Sequence, residues 1–142
     1  MNKLNQVLIV DDDEVNNLFC KIVIEHAGIS GDVHYCMSGP EALDYLTACI
    51  NSNSMVPDLI LLDINMPFMD GFHFLNLYHE LGFHEKLPSK ISMLSSSDIE
   101  ADIKAALQYE SVIDYVTKPL SEEALNRLVY KLNNPSTDRS YG

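Results

Sequence analysis

The sequence lacks any apolar run approaching the ~20 residues that a membrane-spanning helix requires, and its start, MNKLNQ, lacks the apolar centre of a signal peptide. Both absences predict a cytoplasmic protein. Basic residues are scarce, with nine Lys and Arg against 21 Asp and Glu for a formal net charge of -12. None of them gather into the footprint of a nucleic-acid binder, so no direct nucleic-acid partner and no membrane contact are expected. Cysteine is sparse: Cys20, Cys36 and Cys49 are odd in number and without CxxC spacing. That pattern suits neither a disulfide framework nor a zinc site and predicts buried thiols. The five histidines show no ligand spacing and read as surface or rim residues, His73, His79 and His84 sharing no helical face. The run Asp11-Asp12-Asp13 lacks the alternation and central glycine of an EF-hand calcium loop.

What is present is a chain of 142 residues, 46% hydrophobic. That composition is ordinary for a globular protein, and a chain of this length buries about two thirds of its unfolded surface. One domain is expected over residues 1–132, followed by a polar, disordered tail over 133–142, NNPSTDRSYG.

Short apolar runs alternate with helical patterns. Val7 to Val10 reads as a first buried strand, followed by a helix from Glu14 to about Ala27 on which Val15, Leu18, Phe19, Ile22 and Val23 form one apolar stripe. Asp32 to Cys36 is a second strand, and Ser38 with Glu41 forms a capping box that opens a helix through about Ile50. Leu59 to Leu62 is a third strand, after which Asp70 caps a helix that ends near Gly82, with a loop to follow. Ile91 to Leu94 is the fourth strand, and Ser97 with Glu100 reads as a second capping box. Val112 to Val116 is the fifth strand, and Ser121 caps the last helix. Parallel strands need crossover helices, so this alternation predicts an α/β, doubly wound parallel sheet of five strands with five helices on its two faces.

In such sheets ligands bind outside the carboxyl ends of the strands. Asp11, Asp12 and Asp13 follow the first strand, Asp63 the third, Ser95 the fourth and Lys118 the fifth. Each alone has a structural explanation as a cap, a turn hydroxyl or a surface charge, but together they compose a pocket. Crowded carboxylates repel one another, and a hard divalent cation, Mg²⁺ or Mn²⁺, relieves that repulsion while leaving room for a phosphate. Asp63 is then the nucleophile of an in-line phosphoryl transfer, with Lys118 and the Ser95 hydroxyl on phosphoryl oxygens.

These residues resemble the receiver domains of two-component response regulators. The resemblance runs from about Gln6 to Leu132 and rests on Asp11-Asp12, on DINMPFMDG with Asp63, on Ser95, and on Tyr115 through Lys118-Pro119. It implies a flavodoxin-like strand order 2-1-3-4-5 and Asp63 as phosphoacceptor. It also implies that Asp12, Asp63 and the Asn65 backbone carbonyl ligate the metal, with Asp11 acting through a metal-bound water. A phospho-histidine on a sensor kinase or phosphotransfer protein is the implied donor. The implied switch moves Ser95 toward the phosphate and turns Tyr115 inward, altering the face of the fourth helix, fifth strand and fifth helix that a downstream protein reads. Ser96, being small, leaves the pocket open, and Asn65 and Ser97 hold positions that set dephosphorylation rate in the family. The segment from Leu81 to Lys90 is a candidate for partner specificity.

Two rival readings exist. Asp11-x-Asp13 after an apolar strand also resembles the nucleophile motif of haloacid-dehalogenase-type Mg²⁺-dependent phosphatases, with Asp11 as nucleophile, but that leaves DINMPFMDG unexplained. A pseudo-receiver that no longer takes phosphate conflicts with the complete acidic, Ser and Lys positions. The expectation is a signalling protein, not an enzyme, that acts through protein contacts either as a terminal receiver or as a phosphoryl shuttle.

Overall fold

The apolar tetrads VLIV and LILL become β1 (Val7–Val10) and β3 (Leu59–Leu62), with every residue buried. Continuous burial of this kind marks strands covered on both faces. They sit at the centre of a five-stranded, all-parallel sheet with β2 (Val33–Cys36), β4 (Lys90–Ser95) and β5 (Val112–Thr117) in the order β2-β1-β3-β4-β5. The computed structural model describes residues 3–52 and 55–135. Most of the expected disordered tail therefore lies outside the described residues.

Because strand side chains alternate, the sheet feeds two cores. Val7, Ile9, Leu59 and Leu61 face α1 (Glu14–His26) and α6 (Glu122–Asn133), meeting Cys20, Ile24, Leu125 and Leu128. Leu8, Val10, Ile60 and Leu62 face the opposite layer of α2 (Gly39–Ser52), α3 (Gly71–Glu80) and α5 (Glu100–Leu107), meeting Leu46, Phe74, Tyr78 and Ile103. All three thiols are free and buried, as their spacing predicts.

Three sequence expectations need correction. The first concerns the helix count, which is six among the described residues, because a single-turn α4 (Phe83–Lys86) occupies the expected loop before β4. Gly82, at φ +79°, turns the chain out of α3, and Phe83 then buries its ring edge-on to Tyr78. One turn is too short to leave a periodic signal.

The second is the apolar stripe of α1. Of its five residues only Val23 packs against the core: Val15 is 78% exposed, Leu18 55%, Phe19 43% and Ile22 56%. The helix packs instead through Asn17, Cys20 and Ile24. The third is the expected capping box at Ser97, which does not form. Helix α5 starts at Glu100 behind Ile99, which gives no side-chain cap, and Ser97 Oγ donates to Asp102 at 2.8 Å. His79 and His84, expected at the surface or rim, are partly exposed and meet across the α3–α4 turn, their ring centroids 4.7 Å apart. The remaining caps form as expected, with Asp70 accepting from His73 N, Ser121 from Ala124 N and Ser38 from Glu41 N.

Helix α6 is pinned to the sheet by charge. Asp114 on β5 has no solvent exposure, and its Oδ2 takes Arg127 Nε at 2.8 Å and Lys131 Nζ at 3.2 Å while Oδ1 accepts the Tyr115 N–H. A fully buried carboxylate survives only with such compensation. Replacing Asp114 by Ala is expected to lower the unfolding free energy by about 3 kcal/mol in urea titrations. Arg127→Ala, which keeps Lys131 on the carboxylate, is expected to cost less.

Candidate functional site

The carboxyl ends of β1, β3, β4 and β5 open onto one edge, and the sheet registers Val10 with Leu62 and Leu62 with Met93. That alignment brings the residue after β1, Asp11, level with the residue after β3, Asp63. Asp63 N donates to Val10 O and Asp11 N to Cys36 O, so backbone bonds fix both carboxylates at the edge. Asp11, Asp12 and Asp63 each offer an oxygen within 4.8 Å of the others. Asp11 and Asp63 are buried and Asp12 is exposed. Lys118, just after β5, sets its Nζ 2.7 Å from Asp11 Oδ2 and 3.7 Å from Asp63 Oδ2. Its backbone N–H donates to Ser95 O, tying the β5 end to the β4 end.

The electrostatics follow from crowding. Burial, and then the Asp11 charge, push the Asp63 carboxyl up from 3.8 to about 6, against the opposing pull of Lys118 and the Asn65 backbone N–H. Lys118 is held above its usual value: burial opposes the charged ammonium, but the Asp11 hydrogen bond and the charges of Asp63 and Asp11 outweigh it. Asp63 Oδ1 is buried with no hydrogen-bond partner among the described protein groups. An orphaned carboxylate oxygen beside two further carboxylates is the donor set a hard, oxygen-seeking cation fits.

Asp11 is differently placed. Its Oδ1 accepts the Asp13 N–H at 2.9 Å, and its Oδ2 accepts from Asn16 Nδ2 at 2.8 Å as well as from Lys118. Both oxygens are engaged, so nothing in the pocket favours Asp11 as a nucleophile. Asp13 caps α1 through Val15 N and Asn16 N. Asn16 and the fully buried Asn17, whose Nδ2 donates to Asp11 O at 2.9 Å, are contributors that sequence reasoning missed. The available signal was a helix opening directly after the acidic run, which returns its first turn over the strand end.

The remaining predicted residues form a chain leading away from the pocket. Ser95 is buried and its Oγ accepts the Ser97 N–H at 3.2 Å, while the Tyr115 hydroxyl donates to Ser97 O at 2.7 Å. Tyr115 is already turned in, 3% exposed, and burial raises its phenol. Ser96 and Asn65 are exposed at the mouth. On the β3–α3 loop Phe68 is fully exposed at φ +68°, a conformation costly for a residue with a side chain. Gly71 follows where the loop folds back on Asp63: a Cβ there would stand 2.7 Å from Asp63 O and 2.8 Å from Ile64 Cα. Only glycine fits.

The family model for the response regulator receiver domain matches residues 7–130. This chain belongs to that family. Among its relatives, the two-component response regulator 24 of Arabidopsis thaliana is 30% identical over 126 residues, covering 89% of this chain and 82% of that protein. The two-component response regulator ORR41 of Oryza sativa subsp. japonica is 28% identical over 129 residues, 91% of this chain and 94% of that one. A two-component response regulator from Cytophaga hutchinsonii has a crystal structure that superposes with a TM-score of 0.87 at 31% identity, covering 94% of this chain and 99% of that one. The receiver thus has the strand order its resemblance implied, and its acidic cluster stands where the doubly wound sheet places a site. Among its described residues no helix is long and apolar enough to cross a membrane.

The raised Asp63 carboxyl has a thermodynamic consequence. The folded receiver holds that proton more tightly than the unfolded chain, so ionisation costs stability: nothing below about pH 4, increasingly from 3.8 to about 6, and fully above. That interval corresponds to about 3 kcal/mol. Without divalent cations, Asp63→Asn is expected to be more stable than wild type at pH 8 by up to about 3 kcal/mol, the gap closing toward pH 4. Urea titrations across pH measure it.

Proposed function

We propose that this receiver accepts a phosphoryl group onto Asp63 from a phospho-histidine of a sensor kinase or phosphotransfer protein, and signals the modification to a protein partner. The observation that carries the reading is Asp63 itself, a buried strand-end carboxylate with one oxygen unpartnered, facing Lys118 across 3.7 Å beside two further carboxylates. As an Asp63 oxygen bonds to phosphorus, the N–P bond of the donor breaks and the freed imidazole takes a proton. Asp12, Asp63 and the Asn65 carbonyl, with Asp11 beside them, would hold Mg²⁺ or Mn²⁺, which when bound would supply charge neutralisation for the transferring group. Lys118 sits within reach of both acceptor and Asp11, and its ammonium can shift to a phosphoryl oxygen. The Ser95 hydroxyl is placed to donate to another phosphoryl oxygen, and Ser96 leaves the mouth open.

Donor docking has a surface beside the pocket. The exposed stripe Val15, Leu18, Phe19 and Ile22 begins two residues after the α1 cap, and Phe68 stands exposed on the neighbouring loop. An apolar patch rimmed by acids suits the helices of a phosphotransfer partner. Output runs the other way, from Ser95 through Ser97 to Tyr115 and Asp102, toward the face of α5, β5 and α6. A new dianion that draws in Lys118 and Ser95 alters this chain. On this reading residues 1–132 are the working unit, the protein is cytoplasmic, and it turns over no substrate beyond its own phosphoryl group.

Intact mass after incubation with acetyl phosphate and Mg²⁺ tests the acceptor. One phosphoryl adduct is expected on wild type, none on Asp63→Asn and none in EDTA. No adduct on wild type would leave an interaction module that takes no phosphate. Leu18→Glu with Phe19→Glu is expected to keep labelling by acetyl phosphate and to slow transfer from a phosphorylated histidine donor by about tenfold or more, the scale of losing a contact worth about 1.4 kcal/mol.

A further inference from the structure

We infer that His79 and His84 form a second metal site, separate from the acidic pocket and suited to a borderline divalent transition metal such as Zn²⁺ or Ni²⁺. The pair is assembled by the fold. His79 lies in the last turn of α3, Gly82 reverses the chain in a left-handed conformation, and α4 lays His84 over His79 with ring centroids 4.7 Å apart and planes 30° apart.

Three observations point to a ligand. His79 Nε2 and His84 Nδ1 are both shielded from solvent, and neither has a hydrogen-bond partner among the described protein groups. Buried polar atoms of this kind are rare, and each calls for something to satisfy it. His79 Nδ1 lies 2.9 Å from Leu75 O. A carbonyl only accepts, so Nδ1 carries the proton and Nε2 presents its lone pair. This is the arrangement by which metal-binding histidines are oriented, one ring nitrogen donating to a carbonyl and the other free for the metal. Finally, the imidazoles are close yet do not hydrogen-bond to each other, so neither ring satisfies the unpartnered nitrogen of the other.

The ligand type selects the ion. Imidazole nitrogen suits Zn, Cu and Ni, whereas the oxygen-lined pocket at Asp63 suits Mg²⁺ and Mn²⁺, so one receiver carries a hard site and a borderline one. They do not overlap: α3 starts beside Asp63 and rises about 15 Å over its ten residues before reaching the histidine pair. The His79 ring also lies 5.3 Å from that of Tyr109, just past α5, so an ion here would brace the α3–α4 turn against the α5 end.

The test is calorimetric titration of the full chain with NiCl₂ in millimolar Mg²⁺, which keeps the acidic pocket filled. Wild type and Asp11→Asn are expected to bind one equivalent, whereas His79→Gln and His84→Gln each weaken binding by about tenfold or more. The thermal midpoint should rise with Ni²⁺ in wild type and not in the two histidine variants. Should a variant fail to fold, paramagnetic broadening of both imidazole ring signals in wild type answers the same question. No Ni²⁺ binding by wild type, binding that survives both histidine substitutions, or broadening confined to other histidines would overturn the site. Acetyl phosphate labelling of Asp63 is independent of every one of these outcomes.

Discussion

Three carboxylates within 4.8 Å of one another, restrained by a single lysine, are the constraint on which this molecule turns. Like charges at that spacing do not gather unaided when two of the three are buried. Here they are delivered by strands whose burial is assured on both faces, so the core supplies the energy that holds them together. Lys118 offsets part of the repulsion and leans toward Asp11, leaving Asp63 as the less compensated acid with its proton affinity raised. Asp63 is the residue whose charge the fold satisfies least, which suits it to a cation and, on the proposed reading, to a phosphoryl group.

The surroundings of that cluster divide into fixed and adjustable parts. Asp63 is anchored by its own backbone bond to Val10 and by Gly71, which packs against its carbonyl. Asp11 is held from three sides by Asp13, Asn16 and Lys118. Ser95, Ser97 and Tyr115, in contrast, are joined by single hydrogen bonds through a loop that ends in an uncapped helix start at Ile99. The geometry at Asp63 is thus rigid, as the in-line attack proposed for it requires, and the connection to the periphery is made of bonds that a new anion there would redirect.

The sheet and the pocket were legible in the sequence because their signals are local. VLIV and LILL are apolar without alternation, and the acids, Ser95 and Lys118 directly follow the runs that place them. Where reading failed, the missing information was tertiary. Periodicity shows that Val15, Leu18, Phe19 and Ile22 share a face but not what covers it, and Asn17 rather than an apolar residue points inward. Asn16 looks like a solvated helix residue until the strand end beneath it is known. The His79–His84 pairing depends on a left-handed glycine and a one-turn helix, neither of which leaves a pattern.

The salt-bridged carboxylate under α6 has a bearing on how a phosphorylation signal could be felt outside. Two cations on a buried Asp114 lock α6 to β5, whereas α5 begins without a cap and is tied through Ser97 and Asp102 to the loop beyond Ser95. The face that α5, β5 and α6 form across the sheet edge is thus tied by charge on its α6 side and only by hydrogen bonds on its α5 side. A protein seated there would register a change in the width of its berth rather than a reorientation of the whole domain, and its grip on α6 would persist in both states. Such a partner can be pre-bound and merely tightened or loosened, which suits a signal carried by graded occupancy better than one that depends on assembly from separate pieces.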